Sequence, residues 1–558
     1  MTRLDAPPDW VRDAVFYQIF PDRFASSTRV PKPGALEPWD APPTHHGFKG
    51  GDLLGIAEHL DTLADLGITA LYLTPIFAST ANHRYHTFDF ELVDPLLGGD
   101  AALRELLDEA HRRGMRVILD GVFNHASRGF WPFNHVLENG GASPYRDWFH
   151  IDPDVLAGRR GLKAYPGKEE IDAIAMQRAL HESHQQAGGG QPGEGIQPVN
   201  RNQSVSERVL GYEAWWDLPA LPKLNHANPA VREYIYGVAE RWLRFGIDGW
   251  RLDVPEEIKE PGFWEEFRRR CRAINPDAYI VGEIWHPAEE WLAGDRFDAV
   301  MNYPLAEAIL SFVGGDRLDV PLVAQAWEYA RHVHPIDGSG FARQLELAMA
   351  TYPPEFASVQ LNLHDSHDTP RFLSMVGNDA SRARLAALIQ LTLPGAPCLY
   401  YGDEVGLQGR HDPDCRRGYP WDPSRQDAAM RDFTAGLIEL RRREPVLRRG
   451  RFEVVCAQGS ALAYGLFADP SLSIAQPEAA DASSAAGHSV VVVAVNAGDA
   501  PVRLECHRPD LAGYLSEQVS WKGRGWGTEF ASGPLDHGTL IVELGSREGA
   551  VIGFKLPA

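Results

Sequence analysis

Eight short runs of β-branched and aromatic residues punctuate the chain up to residue 401, most of them followed by a stretch of helical periodicity. They cover residues 14–21, 70–75, 115–123, 247–253, 278–283, 297–301, 358–364 and 397–401. Eight is the number of parallel strands that closes a βα barrel, so the expected class is α/β with a (β/α)8 TIM barrel. The intervening helices fit. Ile56, Leu60 and Leu63 recur at helical spacing before Gly67 can cap, and Val231, Ile235, Val238, Trp242 and Phe245 line one face after Asn228-Pro229.

Two interruptions break the alternation. About a hundred residues separate the third and fourth runs, too many for an ordinary βα loop, and predict an inserted domain after strand 3. Within it, residues 181–203 are rich in Gln, Gly and His and read as a solvated surface loop rather than a metal site. After residue 450 the long helices stop, and strands such as 489–495 (SVVVVAV) and 538–544 predict a C-terminal antiparallel β domain. Residues 475–487, rich in Ala and Ser, read as a loop inside that domain. The expected division is barrel at 1–125 and 206–445, inserted domain at 126–205, and C-terminal β-sandwich at 446–558.

Composition removes several function classes. A net charge of −22 without a Lys/Arg block argues against nucleic acid and anionic membranes as partners. No uninterrupted apolar stretch is long enough to span a bilayer, and residues 1–10 lack a signal-like apolar core, so a cytoplasmic protein is expected. The five cysteines (271, 398, 415, 456 and 506) are odd in number and scattered, and read as reduced thiols without a disulfide or zinc site.

Two of the strand runs end on a carboxylate. Gly249-Trp250-Arg251-Leu252-Asp253 and Val281-Gly282-Glu283-Ile284-Trp285 place Asp253 and Glu283 one strand-helix-strand step apart, where a barrel would set both in one pocket. Paired carboxylates of that kind suggest glycoside hydrolysis, in which environment must separate their pKa values. Arg251, on the same side of its strand as Asp253, would keep Asp253 ionised as the nucleophile. The apolar neighbours of Glu283 would raise its pKa and favour the acid/base role. Asp368, in Ser366-His367-Asp368, could hold sugar hydroxyls, and His125, in Asp120-Gly121-Val122-Phe123-Asn124-His125, could donate to one.

These four motifs in order, DGVFNH, GWRLDV, GEIW and SHD, resemble the α-amylase superfamily of glycoside hydrolases over residues 10 to about 440. The resemblance implies Asp253 as nucleophile, Glu283 as acid/base and Asp368 as the third acid, with Arg251, His125 and His367 as sugar-binding partners. It also implies Tyr85 as an aromatic platform, Asp412 and Arg416 as a grip on the next sugar, and Glu257 and Trp285 beside the acceptor subsite. Leu221-Pro222-Lys223-Leu224-Asn225 is similar to the signature of the cyclomaltodextrinase, neopullulanase and maltogenic amylase branch. Of the aromatic residues near the cleft, Tyr212, Trp215, Trp216, Phe130 and Trp131 are weighed mainly as core.

The sequence departs from that branch in two places. Its first barrel strand begins near residue 14, where the branch usually carries an N-terminal β-sandwich that helps form a dimer; monomer or homo-oligomer is therefore left undetermined. The branch's calcium loop is replaced by Ala25-Ser26-Ser27-Thr28-Arg29-Val30-Pro31, so no cofactor is required, and Gly50, Asp52 and Asn124 are the remnants at which calcium could bind. The expected activity is retaining hydrolysis of α-1,4 bonds in short maltooligosaccharides, cyclodextrins or pullulan, with some transglycosylation. The alternatives are an exo-acting α-glucosidase or a sucrose- or trehalose-active enzyme with the same three acids, and a non-catalytic sugar-binding homologue.

Overall fold

The computed structural model describes residues 6–186, 204–326, 329–468, 489–511, 515–517 and 538–555. Eight parallel strands form the barrel: β1 (Phe16–Ile19), β2 (Ala70–Leu73), β3 (Arg116–Gly121), β4 (Gly249–Leu252), β5 (Tyr279–Gly282), β6 (Ala299–Val300), β7 (Leu361–Asn362) and β8 (Ala396–Tyr400). Each falls within or against one of the eight sequence runs. Their order is β6-β5-β4-β3-β2-β1-β8-β7, and the parallel bridge Met301↔Leu361 joins the outermost two and closes the ring. Helices cover the outside and side chains fill the inside, which is why most strands are buried at every position and read as unbroken apolar runs.

The helix Pro229–Phe245 shows how local chemistry sets the boundaries. Asn228 caps Ala230 N–H, Pro229 supplies the first turn, and Gly246 ends the helix in the left-handed region at φ 115°. Val231, Ile235, Val238 and Trp242 form its buried face. The stripe through Ile56 and Leu63 is instead split into Leu53–Glu58 and Leu60–Leu66, with His59 between them and Gly67 capping at φ 96°.

Between β3 and β4 the chain forms the helices Trp131–Asn139, Lys168–Gln186 and Val205–Leu210 and isolated antiparallel bridges such as His125↔Lys223 and Ala214↔Pro222. The reading of 181–203 as loop needs correction at its start, because the helix continues to Gln186; residues 187–203 lie outside the described residues. The charged and polar residues HESHQQ carry helical propensity that their Gln/His composition concealed.

After the barrel come β9 (Arg451–Gln458), β10 (Ala461–Phe467), β11 (Val490–Asn496), β12 (Val502–His507), β13 (Leu515–Glu517), β14 (Thr539–Leu544) and β15 (Glu548–Lys555). They form a five-stranded sheet, β9-β10-β11-β15-β13, and a two-stranded sheet, β12-β14. Val492, Ile552 and Phe554 from the first pack against Leu504 and Val542 from the second. The loop reading of 475–487 lies outside the described residues. Cys456 on β9 and Cys506 on β12 form a disulfide with their Cα atoms 5.5 Å apart, which corrects the expectation of reduced thiols throughout. Sheet stacking creates that pairing across 50 residues, and no short-range spacing announces it. Cys271, Cys398 and Cys415 are free and buried. Among the described residues no helix is long and apolar enough to cross a membrane.

Candidate active site

Parallel register puts Arg251 beside Asp120 on one side and Val281 on the other, and Leu252 beside Gly282. Asp253 and Glu283, the next residues along β4 and β5, are therefore brought together at the carboxyl end of the barrel. They are 6% and 7% exposed. Arg251, wholly buried, is the hub. Its Nη1 donates to Asp120 Oδ1 and Oδ2 at 2.8 and 2.9 Å and to Asp253 Oδ1 at 3.1 Å, while Nη2 lies 2.8 Å from Glu283 Oε2.

One guanidinium thus touches both candidate catalytic acids, and its contact with Glu283 is the shorter. This, with the raised Asp253 carboxyl described next, corrects the expectation that Arg251 keeps Asp253 ionised; strand alternation shows which residues share a face but not what the neighbouring strand brings. Burial, reinforced by the Glu283 charge, pushes the Asp253 carboxyl well above the usual range despite Arg251. Burial also pushes Glu283 up, opposed by Arg251 and by hydrogen bonds from Val254 N–H and Trp285 Nε1. Asp120 is pushed up to about 6, again chiefly by burial. Burial thus raises the Asp253 and Glu283 carboxyls together, with Arg251 opposing it at each.

What distinguishes the pair is how their oxygens are occupied. Glu283 Oε2 accepts from Val254 N–H at 3.2 Å and Oε1 from Trp285 Nε1 at 3.1 Å, whereas Asp253 Oδ2 is buried with no hydrogen-bond partner. A bare buried carboxylate oxygen is costly in a resting protein and suited to attack on an electrophilic carbon. Val254, between the two acids in sequence terms, adopts φ 36° and ψ 52°. That left-handed conformation is unfavourable for a β-branched residue, and it aims the Val254 N–H at Glu283.

The SHD motif builds the adjoining wall. His367 is buried, and burial holds its imidazole well below its usual pKa and therefore neutral. Gln18 Nε2 donates to His367 Nδ1 at 2.9 Å, which puts the ring proton on Nε2, facing Tyr85 OH at 2.5 Å and Asp368 Oδ2 at 3.1 Å. The Tyr85 and His367 rings stack at 5.3 Å and 1°, and Tyr85 OH also donates to Asp120 Oδ2 at 2.9 Å. Arg416 donates through Nε to the His367 carbonyl at 2.8 Å, and its two Nη atoms reach Asp368 at 3.3 Å and Asp412 at 3.0 Å. Tyr85, His367, Asp368, Asp412 and Arg416 thus form one connected set.

On the side of the insert, His125 is fully buried, its pKa pushed down to about 3 by burial. Its Nε2 has no hydrogen-bond partner, and its ring stacks on Trp215 at 4.8 Å. Trp285 is half-buried, with one face against Tyr303 at 3.6 Å. Glu257 pairs with Lys223 at 3.1 Å. Phe130 and Tyr212 are core residues, while Trp131 and Trp216 are 49% and 50% exposed.

Calcium has no cradle here. Asp52 Oδ1 caps the helix Leu53–Glu58 at Gly55 N–H, 2.7 Å away, and Oδ2 accepts from Ser27 N–H and from the Lys32 ammonium, each at 2.9 Å. Lys32 Nζ also donates to Leu96 carbonyl at 2.8 Å, so an ammonium already ties this loop down. Gly50 gives its N–H to Asp22 at 3.1 Å, and the Asn124 side chain lies against His125. The Lys32 ammonium on Asp52 is what argues against a calcium ion at this loop, and Asn124 Oδ1, buried without a hydrogen-bond partner, is a single free ligand oxygen rather than a cage.

Several participants were not singled out as site residues from the sequence. Asp120 and Lys223 sit inside motifs that were recognised for their neighbours, so the signal was present. Gln18 and Tyr72, which donates to Asp120 at 2.8 Å, occupy ordinary strand positions that carry no such mark.

The alpha amylase catalytic-domain family matches residues 18–450. A cyclomaltodextrinase from Geobacillus thermopakistaniensis is 42% identical over 79% of this chain and 64% of its own length. Neopullulanase 2 from Thermoactinomyces vulgaris is 40% identical over 79% of this chain and 65% of its own. The chain thus matches slightly less than two thirds of either relative's length. The crystal structure of a debranching enzyme from Nostoc punctiforme superposes with a TM-score of 0.76 at 40% identity, covering 99% of this chain and all of that one. With the motif order, the closed barrel and the family match agreeing, the chain belongs to the alpha amylase catalytic-domain family.

Proposed function

We propose that this protein is a retaining glycoside hydrolase that cleaves α-1,4 bonds in short maltooligosaccharides, cyclodextrins or pullulan, with transfer to sugar accompanying hydrolysis. The observation that carries the reading is the single guanidinium of Arg251 spanning Asp253 and Glu283 while Asp253 Oδ2 stays bare. Two carboxyls that share one guanidinium suit the double-displacement arrangement, in which they stand about 5–5.5 Å apart, and the bare Asp253 Oδ2 supplies its nucleophile.

In this mechanism Asp253 Oδ2 attacks the anomeric carbon as protonated Glu283 gives its proton to the leaving oxygen. Glu283, now ionised and held by Arg251, then takes a proton from water or from a sugar hydroxyl that releases the glycosyl-enzyme. His125 Nε2, the Asp368 carboxylate and Arg416 offer hydrogen bonds to hydroxyls of the bound ring. Tyr85, stacked on His367, supplies an apolar face beneath it. Asp412, with Arg416, would grip the next sugar, and Glu257 and Trp285 would border the acceptor side.

Product analysis on maltotriose, β-cyclodextrin, pullulan and sucrose tests the reading. Maltose from β-cyclodextrin supports it, and turnover of sucrose alone overturns it. A second reading, cleavage of α-1,6 branches, is favoured by the full-length similarity to the Nostoc debranching enzyme. Pullulan separates the two, because α-1,4 cleavage yields panose and α-1,6 cleavage yields maltotriose.

The proposed compartment is the cytoplasm, and it turns on Cys456 and Cys506. Scattered buried thiols suit a reducing compartment, whereas a stable disulfide suits an oxidising one. Five alkylatable thiols in denatured, freshly lysed cells support the cytoplasm, and three contradict it.

A further inference from the structure

The tripeptide Pro-Trp-Asp occurs twice in the sequence, at 38–40 and at 420–422. The fold brings both copies to one cavity of about 300 Å³, lined by Ser26, Trp39, Asp40, Trp421, Asp422 and Arg425. The first copy lies in the loop after β1 and the second in the segment after β8, so adjacent barrel strands deliver them to one rim. None of the six lining residues belongs to the network around Arg251 or Arg416.

Both indoles are fixed in place. Trp39 Nε1 donates to the Tyr419 carbonyl at 2.8 Å and Trp421 Nε1 to the Phe24 carbonyl at 2.6 Å. Their polar edges are therefore engaged, which leaves the π faces as the chemistry they can offer. Trp421 is packed among Phe24 at 5.2 Å, His59 at 3.8 Å and Tyr419 at 4.4 Å, whereas Trp39 makes no ring contact among the described residues and is the more open of the two. Gly418 permits its seat, since a Cβ there would stand 3.0 Å from Trp39 Nε1 and 2.7 Å from the Trp39 carbonyl. Beside the rings, Asp40 pairs with Arg425, and Asp422 accepts from Ser424 N–H at 2.9 Å.

Two locked aromatic rings with carboxylates and a guanidinium at their edge match the two faces of a pyranose, apolar across the C–H surface and hydroxylated around the rim. The cavity stands at the small end of small-ligand sites, about 300–1,000 Å³, a size for one or two sugar rings. We propose that this rim is a second α-glucan-binding site, distinct from the catalytic cleft, which holds a one- or two-glucose segment of a longer chain. The proposal rests on the α-glucan reading of the catalytic site. Its consequence is avidity: a chain held at the rim presents its remaining glucoses to the cleft at raised local concentration, and a substrate too short to reach both sites gains nothing.

Calorimetric titration of the Glu283→Gln enzyme with maltotriose, the short ligand that does not engage both sites at once, tests it without turnover. Two sites per chain are expected, falling to one when Trp39→Ala is added, with Arg425→Ala weakening the same site by roughly tenfold if the aromatic seat is left intact. In the active enzyme, Trp39→Ala should leave kcat/KM on maltotriose within twofold of the parent and raise KM on soluble starch severalfold. A single site in the Glu283→Gln enzyme, or two sites that survive both rim substitutions, overturns the proposal. Failure of the parent enzyme to hydrolyse maltotriose or β-cyclodextrin would instead fall on the catalytic reading, so the two are judged separately.

Discussion

Asp52 and Asp253 are both buried aspartates within one barrel, and they differ in what surrounds their oxygens. Asp52, 0% exposed, has Oδ1 on a helix N-terminus and Oδ2 shared between a backbone N–H and the Lys32 ammonium. Asp253, 6% exposed, shares one cation with Asp120 and Glu283 and keeps Oδ2 without a partner. Burial alone therefore does not mark a functional acid. Satisfied oxygens hold a loop to a helix, and an unsatisfied one in a field short of positive charge waits for a substrate.

Neutralising Asp253 gives the largest effect. Asp253→Asn should lower kcat/KM on maltotriose by at least about 10⁴-fold, the scale of removing a nucleophile. It should also keep or raise Tm. A carboxyl whose folded pKa is raised contributes its stability below its unfolded pKa and loses it as pH rises through the folded value. The variant's advantage in urea denaturation should thus grow as pH is raised from about 4 towards neutrality. Lower stability of Asp253→Asn at neutral pH would break the comparison from this side.

The Asp52 side predicts the reverse. Lys32→Met should leave kcat/KM near that of the parent and cost about 3 kcal/mol of stability, because it strands a buried carboxylate that the ammonium now holds. With Lys32 in place, neither calcium nor a chelator should move Tm. A rise in Tm on adding calcium would overturn that reading of the loop.

A smaller effect belongs to Trp285. Its Nε1 donates to the ionised form of Glu283 and so lowers the Glu283 pKa. Trp285→Phe removes that donor, and the alkaline limb of the kcat/KM profile should move up by roughly half to one pH unit. Movement downward, or none, would show that the indole N–H does not act on Glu283.

Much of the barrel was legible because parallel strands buried on both faces must be written as short apolar runs, and closure requires eight of them. The candidate acids were legible for a related reason. A carboxylate ending such a run, as at Leu252-Asp253 and Gly282-Glu283, has nowhere to point but the rim. What neighbouring strands do to each other was not legible. That Arg251 reaches across to Glu283, that Gln18 from β1 sets the His367 tautomer, and that Cys456 meets Cys506 all follow from contacts between segments far apart in sequence. The left-handed turn at Val254 was hidden as well, because nothing in a valine announces a positive φ. Lys32 on Asp52 was the subtlest case: the carboxylate was read as a remnant of a metal site because its ammonium partner lies 20 residues away in a loop without pattern.

The central claim is that Asp253 and Glu283 act as a nucleophile and acid/base pair on an α-linked glucan. Time-resolved ¹H NMR of the anomers released from β-cyclodextrin or maltotriose, recorded before mutarotation scrambles them, tests it most directly. Two displacements at one carbon retain configuration, so the α-anomer should appear first and the β-anomer should grow in only at the mutarotation rate. Initial release of the β-anomer would contradict the account.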